Sequence, residues 1–150
     1  MWNRDRSIIL SLVATRVLAV LAFALAVVLP FLIKYGFFAA RAGIAAADAI
    51  YLLPIYYGFL IPAFVALFAL DRMLLDVRKA QVFTAANVSR LRRISWCCFV
   101  AAFILLVSSL VSVTFFVLAV LAAFIGLILR AMKNLFAAAV DLQDESNYTI

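Results

Sequence analysis

Apolar and charged positions are segregated along this chain into long blocks. Ile8 to Ile33 is apolar apart from Ser11, Thr15 and Arg16, Ala49 to Leu70 carries no charge, and Trp96 to Leu129 is a third uncharged run of 34 residues. At 1.5 Å per residue the first two blocks make helices of about 39 and 33 Å, long enough to cross a hydrocarbon core of ~30 Å. The third, about 51 Å as a single helix, is too long for one crossing. It divides most simply at Ser108-Ser-Leu-Val-Ser-Val-Thr114. The pattern predicts an all-α membrane protein with four transmembrane helices in two hairpins, spanning roughly 8–33, 49–70, 88–110 and 114–136.

The spans have distinct faces. In the first, Ser11, Thr15, Ala19, Ala22 and Ala26 share one side, the small-residue pattern that lets another helix approach closely. Arg16 lies beside it, about 12 Å in from Ile8, where its guanidinium either snorkels to headgroups or finds a buried partner or a polar cavity. The second span places Pro54, Gly58 and Pro62 at intervals of four, which predicts a kink. Tyr51, Tyr56 and Tyr57 nearby are candidates to hydrogen-bond exposed carbonyls or to form an aromatic belt. In the fourth span Ala119, Ala123, Gly126, Arg130, Asn134, Ala137 and Asp141 share a face, so a small-residue stripe becomes a polar one. Arg130 is expected at the mouth of a bundle interior, with Arg16, Asp71 and Asn134 as the other interior polar residues.

Asp71 to Ile94 is the charged middle of the chain, and it cannot enter hydrocarbon. With four spans, Arg4, Arg6, Arg72, Arg78, Lys79, Arg90, Arg92, Arg93, Arg130 and Lys133 fall on one side and only Lys34 and Arg41 on the other. The positive-inside rule then places both termini and the 71–87 link in the cytoplasm, with the third and fourth helices extending into it. Thr84 is positioned to cap the third helix, and Arg72 and Asp76 are i,i+4 neighbours.

Composition narrows the chemistry. The chain is 70% hydrophobic and 13% charged, far from a soluble domain. Its net charge of +6 flanks apolar spans, which favours anionic lipid headgroups as partners and argues against direct nucleic-acid binding. The absence of histidine removes the commonest metal ligand and general base, and no cofactor is expected. Adjacent Cys97 and Cys98 lack the CxxC spacing and read as helix-packing residues; a thiol or quinone oxidoreductase built on them would have no group to activate the thiolate.

Two stretches resemble a family of small four-span bacterial membrane proteins, domain-of-unknown-function family 2975. Val82-Phe-Thr-Ala-Ala-Asn-Val-Ser-Arg-Leu-Arg-Arg-Ile94 is similar to its Phe-Thr, Asn, Arg-Leu-Arg signature, and Leu135-Phe136 through Leu142 with Glu145-Ser-Asn-Tyr-Thr-Ile150 is similar to its closing Glu-Asn-Asp-Leu-Thr-Ile. Asn147 and Tyr148 depart from that ending. The resemblance implies a bacterial cytoplasmic membrane and, because the family's genes commonly neighbour small helix-turn-helix regulators, a cytoplasmic protein partner. It assigns no catalytic residue.

Together these readings predict a non-enzymatic membrane protein with a cytoplasmic interaction face made by Phe83, Thr84, Asn87, Arg90, Arg92, Glu145, Thr149 and Ile150. The competing expectation is a small transporter or channel for an anionic or amphipathic substrate, which four short spans would build only as a homo-oligomer.

Overall fold

The computed structural model describes residues 4–36 and 50–149, with side-chain surroundings from Arg6 onward. Among the described residues four helices follow one another: α1 (Arg4–Lys34), α2 (Leu52–Arg78), α3 (Ala85–Ser108) and α4 (Val113–Tyr148). All four are long and apolar enough to cross a membrane. The break in the long uncharged block falls at Ser109–Ser112, inside the predicted turn. α2 runs on through Asp71 and Asp76, so that only 79–84 of the 71–87 link lies outside helix.

The helices pack in chain order. Among the described residues the largest interface is α3 with α4, then α2 with α3, then α1 with α2, and no comparable interface joins α1 to α4. The bundle expected from the sequence is therefore open, a row of helices whose third contact is as real as the two hairpins. The reason lies in the small-residue faces. Ala69 on α2, Ala101 and Ala102 on α3, and Ala119 and Gly126 on α4 are buried at the shared seams, while Val20, Phe23, Phe103 and Phe124 point outward at 60–68% exposure. Such outward apolar rows suit lipid, where no water-excluding closure is required. A Cβ added at Gly126 would lie 3.3 Å from Cys98 Cβ and 3.4 Å from the Phe99 ring, which shows how closely α3 and α4 approach.

The α1–α2 seam is polar in a way the sequence pattern does not announce. Thr15 is buried, and Ala19, Ala22 and Ala26 are half-buried, whereas Ser11 is exposed. Pro30, inside α1, has no N–H to give to the carbonyl of Ala26. Tyr57 on α2 donates its hydroxyl to that carbonyl at 2.9 Å, and Tyr56 donates to Ala22 at 3.3 Å. The tyrosines do hydrogen-bond carbonyls, but those of the neighbouring helix instead of their own.

Candidate functional site at the charged end

The N-termini of α1 and α3 and the C-termini of α2 and α4 form one end of the row. Here α2 stops in a Schellman motif: Ala80 has φ 61°, its N–H bonds Val77 O at 3.1 Å, and Gln81 N–H bonds Asp76 O at 3.0 Å. An alanine occupies the left-handed position that glycine usually fills. The chain then turns into α3, where the Thr84 hydroxyl accepts from Asn87 N–H at 3.3 Å, the cap expected from the sequence.

Asn87 holds this link together. It is wholly buried; its amide nitrogen donates to the carbonyls of Gln81 and Val82, both at 3.0 Å, and its carbonyl oxygen accepts from Arg90 at 2.8 Å. Arg90 also forms an ion pair with Asp76 at the end of α2. The expected Arg72–Asp76 pair is not formed. Asp76 turns to Arg90, whose guanidinium Asn87 already orients, while Arg72 lies over the Phe68 ring at 5.2 Å. Phe83 is 48% exposed, yet its ring meets Phe136 of α4 edge-on at 5.3 Å and so joins the link to the last helix.

The eight candidate interaction residues thus divide. Thr84, Asn87 and Arg90 are bound within the link, and Asn87 is too deeply buried to touch a partner, so the sequence expectation is corrected for it. Phe83, Arg92, Glu145 and Thr149 are exposed. Ile150 lies outside the described residues. The described part of the tail does not pack on the charged middle: Asp141 to Thr149 is exposed throughout, and the Thr149 hydroxyl bonds the carbonyls of Glu145 and Ser146 in its own helix.

Of the interior candidates, Arg16 and Asp71 meet across the α1–α2 seam, Nε to Oδ1 at 3.0 Å, so Arg16 has a partner instead of snorkelling alone. They border a cavity of about 210 Å³ with Thr15, Phe64 and Phe68. Arg130 and Asn134 are exposed, contrary to the expectation of an interior mouth. The buried face of α4 ends at Gly126, because the open row supplies no further helix to cover the turns that follow. Arg130 instead lines an open groove of about 280 Å³ between α3 and α4, with Arg92, Ser95, Trp96 and Lys133. Sequence reasoning missed this grouping, although Arg92, Trp96, Arg130 and Lys133 all stand at the ends of apolar runs.

No curated protein and no solved structure matches the chain. A family model does, from just after α1 to the last residue, and of the two stretches that carried the resemblance, the first, with Phe83, Thr84, Asn87, Arg90, Leu91 and Arg92, builds the link and the first turns of α3. The chain belongs to the family described as protein of unknown function (DUF2975), whose model matches residues 35–150.

Proposed function

We propose that the chain is a non-enzymatic multi-pass membrane protein whose charged end faces the cytoplasm and serves as a docking platform for a protein partner. The observation that carries this reading is the contrast within that end. Asn87, Arg90, Asp76 and Thr84 form a satisfied, immobilised link, and beside it α4 projects a stretch, 141–149, that packs against nothing described. A rigid base beside an uncovered, polar and acidic helix end offers a charged surface suited to recognition of another protein. The family resemblance directs attention to a helix-turn-helix regulator as that partner, held at the membrane without direct nucleic-acid contact by this chain. Co-expression with a helix-turn-helix regulator of the kind that neighbours the family's genes, followed by detergent affinity purification, tests the reading: wild type retains the regulator and a form lacking Asp144–Ile150 does not. Equal retention by both forms, or by neither, refutes it.

A further inference from the structure

We propose that the groove between α3 and α4 is a binding site for one phosphate-bearing anion at the membrane surface. Three cations converge on it, Arg92 from α3 and Arg130 and Lys133 from α4, and Ser95 and Trp96 complete its walls. Among the described residues, the ion pairs engage Arg16 and Arg90, and none of the three groove cations has a carboxylate partner. The acids nearest along α4, Asp141 and Asp144, stand about 12 Å or more beyond Lys133 at 1.5 Å per residue. Like charges gathered without a counter-ion repel one another, and an anion between them relieves that repulsion. Two guanidinium forks and an ammonium suit a phosphate, which accepts paired N–H donors and a point charge together.

Depth supports the same assignment. Counted from the opposite ends of their helices, Arg92 lies about 24 Å, Arg130 about 26 Å and Lys133 about 30 Å along, which is the edge of a hydrocarbon core. Trp96, one turn deeper than Arg92, has its indole held edge-on by Phe99 at 6.4 Å and stands where interfacial tryptophans reside. The Ser95 hydroxyl donates to Gly126 O at 2.9 Å and fixes the floor by tying α3 to α4. The groove is thus open to the headgroup layer and closed toward the lipid tails. The anion is either the phosphate of an anionic lipid headgroup or free phosphate.

The chain's two tryptophans are Trp2 and Trp96, so a Trp2→Phe background makes Trp96 a reporter inside the groove. In nanodiscs, brominated phosphatidylglycerol is expected to quench Trp96 with about fivefold or greater preference over brominated phosphatidylcholine. Arg130→Ala with Lys133→Ala should abolish the preference, and Arg93→Ala, a neighbouring charge outside the groove, should keep it, with unchanged far-UV circular dichroism for both. A second arm titrates inorganic phosphate. If millimolar phosphate shifts Trp96 emission in zwitterionic discs and removes the lipid preference, the free anion is the ligand; if the preference persists, the lipid headgroup is. Absence of both responses overturns the site, as does a preference that survives the double substitution or falls equally with Arg93→Ala.

Discussion

Asn87 and Ala80 decide whether the link between α2 and α3 keeps its shape. Replacing Asn87 with Leu leaves the carbonyls of Gln81 and Val82 without donors and Arg90 without one of its acceptors. The buried amide makes three hydrogen bonds worth about 0.5–1.5 kcal/mol each, so Asn87→Leu should destabilise the fold by roughly 2 kcal/mol in a denaturant titration in detergent. Ala80→Gly should act in the opposite direction. It relieves a left-handed conformation that costs an L-residue about 1 kcal/mol, and a rise in stability of roughly 0.5–1 kcal/mol is expected. Legibility at this scale follows the range of the interaction. The Thr84 cap depends on residues three apart and could be read from sequence. The Arg72–Asp76 pair obeyed the same local rule and failed, because Arg90, fourteen positions away in the chain, reaches Asp76 from the next helix.

Helix pairing rests on two devices that test differently. At the α1–α2 seam, Tyr57 supplies the donor that Pro30 cannot. Tyr57→Phe should cost about 0.6–1.7 kcal/mol, the range for hydrogen bonds between membrane helices. In a Pro30→Ala background residue 30 regains its N–H, Ala26 O has a partner within its own helix, and the same substitution should cost much less; a double-mutant cycle measures this non-additivity. At the α3–α4 seam a side chain at Gly126 meets Cys98 and Phe99. Gly126→Leu should separate the helices, break the Ser95 contact and destabilise by roughly 1–3 kcal/mol, visible in the same titration. The small-residue stripes of α1 and α4 were legible as contact faces because helical spacing alone defines them. The tyrosine contacts were legible only in kind: which helix offers the free carbonyl depends on a register between segments that no local pattern encodes.

For the whole molecule, hydropathy was enough to reveal four helices long and apolar enough to span a membrane and the position of the last turn, since lipid thickness limits how long one apolar helix can be. It was not enough to reveal an open row, because closure depends on whether α1 and α4 offer each other small-residue faces, and each spends that face on its neighbour. The charges align across the row. Counted from the far ends, Arg16 lies about 27 Å along α1 and Asp71 about 28 Å along α2, near the depths of Arg92 and Arg130. These charges share the end of the row that carries the link and the projecting end of α4, although the apolar turns from Ile8 to Ala14 continue α1 beyond Arg16. Photo-crosslinking in cells tests most directly whether this end is the working face. With the reactive residue at exposed Ser89 or Glu145, a protein adduct is expected, and at exposed Val111, at the opposite end, none. Adducts at Val111 alone, or at none of the three positions, would contradict the account.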